Sequence, residues 1–378
     1  DALARSDIVQ VRQTALDAGR DAISTALVEK PFASREAIRS YAWLTDHIVM
    51  MVLEAARRIH PNPTPTEGEK IAVLAVGGYG RAEMAPFSDV DLLFLMPWKV
   101  TPWAESLIET MLYIFWDLHL KIGHSSRTVR DCLRLGREDI TIRTALLEHR
   151  FLTGDEALAA KLDARLRDEL FADTASDFIE AKLAERDARH DRQGGQRYMV
   201  EPNVKEGKGS LRDLQTLFWI GKYIHGVRDA ADLVDHDLFT REEFLRFQSA
   251  ETFLYATRCQ LHLVSGRAAE QLTFDLQVEL AVGPAFKIGN GQSRAQPLCL
   301  TTHLFQMGCS PMISFKIARE FLTDAGAQDF DRNIAALNRY RAVDLRHSGQ
   351  IFVSRRNHRA MGFFQPLKAC FQTFHGNA

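Results

Sequence analysis

The sequence predicts an α+β protein in which one short strand-bearing region sits between helical segments. Two continuous apolar runs, IAVLAV at 71–76 and VDLLFLM at 90–96, flank a glycine-rich turn; such runs are the mark of strands buried on both faces. The first 60 residues repeat apolar positions every three or four residues, as one face of a helix does. From about residue 156 the chain reads as almost wholly helical, with dense alternating charge over 156–190 that marks a solvated helix face. A chain of 378 residues, 46% hydrophobic and 25% charged, is expected to fold as two or three globular domains.

Residues 1–66 form the first expected unit, an N-terminal helical segment. Ile8, Val11, Ala15, Ala18 and Ala22 define one helix face, and Leu44, Ile48, Met51 and Ala55 a second. The stretch PNPTPTEGE at 61–69 holds three prolines and predicts a connector. Residues 67–155 form the strand-bearing unit. After the second strand, Leu107, Ile108, Met111, Leu112, Phe115 and Leu118 share a helical face, and LKIGHSSRT at 120–128 suggests a further strand.

Residues 156–345 form an expected helical bundle. Gln193, Gly194 and Gly195 interrupt it, and EPNVKEGKGS at 201–210 reads as a polar loop opening a helix. Ser210 with Asp213 gives that helix a start resembling a capping box. Over 281–314 the only charges are Lys287 and Arg294, and no clean helical period is visible. Residues 346–378 are a C-terminal remnant.

Composition narrows the function. A net charge of −2 excludes a dedicated duplex-DNA coat and a polybasic membrane binder. The five cysteines, Cys132, Cys259, Cys299, Cys309 and Cys370, have no CxxC spacing, so a reducing cytoplasm fits best. No signal peptide and no membrane-length apolar stretch is evident, and the chain opens without Met, as a trimmed fragment does.

The chemistry concentrates in GGYGRAEMAPFSDVDLL at 77–93. Gly77 and Gly78 leave a strand and permit close backbone approach to an anion. Asp89 and Asp91, two apart on a strand, present both carboxylates to one face. Such a pair repels itself unless a cation intervenes, and Mg²⁺, an oxygen-seeking ion that bridges substrate phosphates, is the expected one. The surrounding run is apolar, so Asp91 is expected to be buried without a protein partner. Ser88 can hydrogen-bond a phosphate oxygen. Arg81 either offsets phosphate charge or forms a salt bridge with Glu83.

A glycine turn followed by SDxD on the next strand resembles the DNA polymerase β-type nucleotidyltransferases. The longer pattern GGYGRxExxPxSDxDLL is similar to the bacterial PII uridylyltransferase/uridylyl-removing enzyme family, GlnD. Four further stretches match that family: FWDLHLKIGHSSRT at 115–128, DITIRTALLEHRFLTGD at 139–155, EPNVKEGKGSLRDLQTLFWIGKY at 201–223 and RCQLHLVSGRAAEQLTFDLQ at 258–277. The family usually has Gly where this chain has Ser210. The likeness covers about residues 35–278 and fades after Gln277.

The resemblance implies a polymerase β-like domain with a mixed sheet, and transfer of UMP from UTP to a tyrosine of the PII signalling protein. It implies no nucleic-acid or membrane partner. Asp89 and Asp91 are expected to hold Mg²⁺, with Gly77, Gly78 and Ser88 against the phosphates. A third carboxylate is expected from Glu148, with Asp117 as the other candidate. Lys205, Lys208 and Arg212, around a loop at a helix start, are candidates to close over the nucleotide or dock PII. His124 reads as an ordinary hydrogen-bonded histidine. The His–Asp pairs at 190–191 and 236–237 read as surface residues, so uridylyl removal is expected to be absent. Other protein or small-molecule nucleotidyl transfer, and a non-catalytic nucleotide- or PII-binding module, remain the competing readings.

Overall fold

The computed structural model describes residues 2–194, 199–227, 229–236 and 238–282. The expectations for most of 281–314, for Gly195, for Asp237 and for the remnant at 346–378 lie outside the described residues.

Two long helices open the chain, α1 (Ala2–Glu29) and α2 (Ser34–Ile59). Helix α2 has a sharply sided sequence and buries Ile38, Tyr41, Ile48, Val49, Val52 and Leu53. The proline-rich connector follows and ends in a single 3₁₀ turn at Glu67–Glu69, closed by a capping box between Thr66 and Glu69.

The strand-bearing region runs β1 (Ala72–Ala75), a single helical turn α3 (Gly77–Gly80), β2 (Val90–Met96), α4 (Pro102–Asp117) and β3 (Ile122–Thr128). It continues through α5 (Val129–Glu138), α6 (Ile140–Leu147) and β4 (Arg150–Gly154). The sheet has the order β3-β2-β1-β4. Strands β1 and β2 are antiparallel, as are β1 and β4, while β2 and β3 run parallel through the α4 crossover. The expected mixed sheet is therefore present.

Side-chain alternation explains the unbroken apolar runs. Leu92, Phe94 and Met96 of β2 face one core with α2 and α4, including Ile48, Met111 and Phe115. Leu93 and Leu95 face the other core with Val129, Leu133, Leu146 and the following helix α7 (Glu156–Leu166). A strand covered on both faces needs apolar residues at every position. All six residues assigned to the α4 face are buried. Strand β4 and helices α5 and α6 were not expected, because the stretch 129–155 lacks a single clean period. Their starts are set by caps instead: Thr128 and Asp131 form a capping box for α5, and Asp139 accepts from the backbone N–H groups of Thr141 and Ile142 for α6.

The rest is helical: α8 (Ala175–Arg192), α9 (Leu211–His225), α10 (Asp232–Asp235), α11 (Arg241–Ser265) and α12 (Phe274–Val282). Their core gathers Leu214, Leu217, Ile220, Phe244, Phe247 and Leu254. A small cluster of Leu147, Phe178, Trp219 and Tyr223 joins α6 to α8 and α9. Among the described residues no helix is long and apolar enough to cross a membrane.

Candidate active site

The acidic pair lies where β1 and β2 end together. The Val76 N–H donates to the Asp91 backbone carbonyl at 3.0 Å, which pins the start of the glycine turn against β2. Gly77 adopts φ +59°, a left-handed conformation that glycine takes without penalty, and its Cα faces the Asp91 carboxylate. On the other side β3 places Gly123 in register with Asp91. A methyl group at Gly123 would overlap Asp91 Oδ1. Two glycines thus clear the space that the carboxylate occupies.

Asp89 is exposed just before β2, and Asp91 is half-buried within it. Burial raises the Asp91 carboxyl above its ordinary value, the Asp89 charge raises it further, and Lys205 opposes both. The Asp91 side chain accepts no hydrogen bond from a described residue. Ser88 holds the intervening turn: its Oγ accepts from the Ala85 N–H at 3.0 Å, and its own N–H donates to the Ala85 carbonyl at 3.0 Å.

The 201–210 loop reaches this pair. Asn203 Oδ1 accepts from the N–H groups of Lys205 and Glu206, at 3.0 and 2.7 Å, and shapes the turn. Ser210 sits at the N-cap position of α9 but makes no side-chain cap. Its hydroxyl instead donates back to the carbonyls of Lys205 and Gly207, at 2.7 and 2.5 Å. Asp213 accepts from the Gly209 N–H at 2.7 Å and also bonds Arg189 and His190. The expected capping box is therefore replaced by a folded-back loop, and His190 is a half-buried partner of Asp213 rather than a surface residue.

Lys205 stands 3.8 Å from Glu270, which Arg258 grips with Nη2 at 2.8 Å. The Phe87 N–H donates to Nδ1 of the fully buried His262 at 3.3 Å, and His262 Nε2 lies 3.7 Å from Glu270. The neutral Nε2–H tautomer leaves Nδ1 to accept from Phe87, while Nε2 is buried without a hydrogen-bond partner among the described residues. Burial, aided by Arg258, keeps the His262 imidazole below its ordinary value against the pull of Glu270. Arg258, His262 and Glu270 were not singled out in the sequence as site residues. Arg258 and His262 are four apart on α11, one helix face, and that spacing was the available signal.

Two expected site residues are engaged with each other beside the glycine turn. Arg81 Nε donates to Glu83 at 2.5 Å and Nη1 to Glu148, and the Tyr255 hydroxyl donates to Glu83 at 2.6 Å. Burial opposes the Arg81 charge, but Glu148 and Glu83 outweigh it and hold the guanidinium firmly protonated. The salt bridge with Glu83 is thus formed. Glu148 is fully buried at the C-cap of α6, and burial pushes its carboxyl up against the pull of Arg81. Among the described residues no three His, Cys, Asp or Glu side chains are grouped to hold a metal ion, so Glu148 does not join Asp89 and Asp91 in one cluster. Arg212 donates to Glu206 at 3.1 Å and lies over the Trp219 ring, while Lys208 is exposed.

A cleft of about 330 Å³ opens between the sheet face and α6. Asp91, Gly77 and Gly123 line it beside Ser125, Arg127 and the α6 residues Thr141, Ile142 and Ala145.

The chain is similar to known proteins of one description. Residues 177–307 match the family model described as GlnD PII-uridylyltransferase. A bifunctional uridylyltransferase/uridylyl-removing enzyme of Ruegeria pomeroyi is 63% identical over 278 residues, which is 73% of this chain and 30% of that protein. The protein of the same description from Cereibacter sphaeroides is 63% identical over 279 residues, 74% of this chain and 30% of its own length. That from Erythrobacter litoralis is 52% identical over 279 residues, 74% of this chain and 30% of its own length. The chain spans about 30% of the length of the curated relatives it matches. The resemblance read from the glycine turn, the SDxD pair and the later blocks is therefore borne out, and the mixed sheet flanked by helices fits a polymerase β-like nucleotidyltransferase domain.

Proposed function

We propose that this chain, a relative of the bifunctional uridylyltransferase/uridylyl-removing enzymes, transfers UMP from UTP to a tyrosine of the PII signalling protein and releases pyrophosphate. The observation that carries the reading is the Asp89–Asp91 pair set against Gly77, with Lys205 of the 201–210 loop brought to bear on Asp91. The relatives' description as uridylyltransferases supports nucleotidyl transfer in general. UTP, PII and Mg²⁺ are the finer parts of the proposal.

The residues fit a Mg²⁺ ion. Asp91 is a half-buried carboxylate facing a second one, with no hydrogen bond from a described residue to relieve it. Mg²⁺ is commonly held by one or two carboxylates, with substrate phosphates completing its shell. Asp89 and Asp91 would hold it, and when bound it offsets the charge of the triphosphate.

The chain's own groups then divide the task. Gly77 and Gly78 leave the backbone open for close approach of the phosphates, and Ser88 stands ready to donate to one of them. Burial, with Arg258 nearby, lowers the Lys205 amine below its ordinary value despite Glu270. Its charge is therefore incompletely balanced within the protein, and a phosphate oxygen would balance it. Lys208, exposed on the same loop, is free to swing onto the triphosphate. In the transfer the tyrosine oxygen bonds to the α-phosphorus. The bond from that phosphorus to the pyrophosphate oxygen breaks, and the phenolic proton leaves to solvent.

The test is the intact mass of PII after incubation with this chain, Mg²⁺ and UTP. One UMP per PII subunit is expected, and none with Asp89→Asn/Asp91→Asn, whose circular dichroism should match the parent. Labelling from ATP but not UTP would transfer the reading to adenylylation. No labelling from any nucleotide by a folded chain would overturn it.

A further inference from the structure

We propose that the cleft between the β2–β3 sheet face and α6 receives the acceptor's aromatic side chain and delivers its hydroxyl to Asp91. This assignment rests on the nucleotidyl-transfer reading above.

The cleft has the wrong size and charge for the nucleotide. At about 330 Å³ it lies at the small end of ligand pockets, enough for a ring but not for a nucleoside triphosphate. Among its lining residues Asp91 is the single acid, and Arg127 and His124 are the two basic side chains. A triphosphate needs several cations, and Lys205, Lys208, Arg212 and Arg258 are all absent from the lining. Those groups belong to the loop, the first turn of α9 and α11, and Lys205 is the cation that Asp91 feels. Phosphates are thereby drawn to the loop flank of Asp91, which leaves the cleft flank for an uncharged group.

The walls suit an aromatic alcohol. Val76, Ile142, Ala145 and Leu146 supply apolar surface for the faces of a ring. Asp91 supplies an acceptor for a hydroxyl. The paired glycines Gly77 and Gly123 leave no side chain between that carboxylate and the cleft. A ring seated on Ile142 brings its hydroxyl to the Asp91 carboxylate.

Ala145 is half-exposed and Thr141 exposed on α6, so a larger side chain at either fills the cleft from its rim without disturbing the core. The test combines Ala145→Phe and, separately, Thr141→Trp with two measurements. The first is steady-state transfer to PII beside calorimetric affinity for UTP with Mg²⁺. The acceptor KM should rise at least tenfold while the UTP affinity stays within twofold. The second uses N-acetyltyrosinamide as a probe and follows methyl NMR signals of Ile142 and Leu146, which should shift in the parent and not in the variants.

A tenfold loss of UTP affinity with an unchanged acceptor KM would make the cleft a nucleotide site and overturn the proposal. Normal values of both parameters in the filled variants would overturn it equally. If the parent transfers no nucleotide, the reading of its function fails. The tyrosinamide signals still decide the cleft, since their absence in the parent sinks the assignment.

Discussion

Gly80 and Gly123 answer different demands, and a methyl group separates them. At Gly80 it would overlap the backbone carbonyl of Glu148, which cannot yield without moving α6 against the turn. Gly80→Ala should cost about 3 kcal/mol or more, seen as an early urea midpoint. At Gly123 the obstacle is the Asp91 carboxylate, the end of a side chain that can rotate. Gly123→Ala should keep its urea midpoint near the parent's and lose most transfer activity, because Asp91 is displaced. Glu148 offers a second contrast. As the buried partner of Arg81 it acts on folding, so Glu148→Gln should destabilise the chain by about 3 kcal/mol through an undercompensated charge. At a temperature where the variant is folded, UMP transfer should persist. A loss of turnover with undiminished stability would instead make Glu148 the third carboxylate. The sequence contained the apolar run around Glu148 but not the partner that claims it, since Arg81 is 67 residues away.

At the scale of elements, α11 and the segment after it are joined by Glu270. Burial works to raise its carboxyl, but the nearby His262 imidazole and the hydrogen bonds from Arg258, with the charges of Arg258 and Lys205, outweigh it and hold the value at about 2. A depressed carboxylate favours the folded state above its ordinary value, and that contribution fades as pH falls through the folded value. The parent should therefore lose roughly 3 kcal/mol through Glu270 between about pH 4.3 and about 2. Glu270→Gln should show a flatter stability profile across that window and a lower plateau near neutrality, measured by urea unfolding at stepped pH. Because Glu270 also faces Lys205, the same variant tests whether this clamp sets the loop beside Asp91. Helices α2 and α4 were legible from their period, and strand β2 from its unbroken apolar run. Strand β4 was not: it is five residues long, half-buried throughout, and paired with β1 across a register shift. Its identity follows from the edge of β1 that it covers.

At the scale of the molecule, three distant stretches meet at one acidic pair: the glycine turn with β2, the 201–210 loop, and the end of α11. A ligand that touches both the pair and the loop should bind the folded chain far better than the unfolded one. Saturating UTP with Mg²⁺, at about 100 times its dissociation constant, should stabilise the parent by about 2.7 kcal/mol. Thermal melting should show the gain vanish with chelator and in Asp89→Asn/Asp91→Asn. An equal gain in the double variant would place the nucleotide away from the pair. The Arg81–Glu83–Tyr255 contacts tie the glycine turn to α11 by a second route, so strain at the turn is shared with the helical core.

The sequence by itself determined the helix-flanked sheet, the place of the glycine turn, and the kinship with uridylyltransferases. Each is encoded locally, in a period, a turn composition or a short motif. It also exposed the Asp89–Asp91 pair, because Asp91 within an apolar strand conflicts with its own surroundings. Only the tertiary structure decided what meets them. Gly123 faces Asp91 because β3 runs parallel to β2 in one particular register. Arg81 and Glu148 answer each other across the α6 C-terminus, and Lys205 comes under the influence of Arg258 and Glu270. Such pairings depend on strand register and helix packing between residues far apart in the chain, and no local pattern records them.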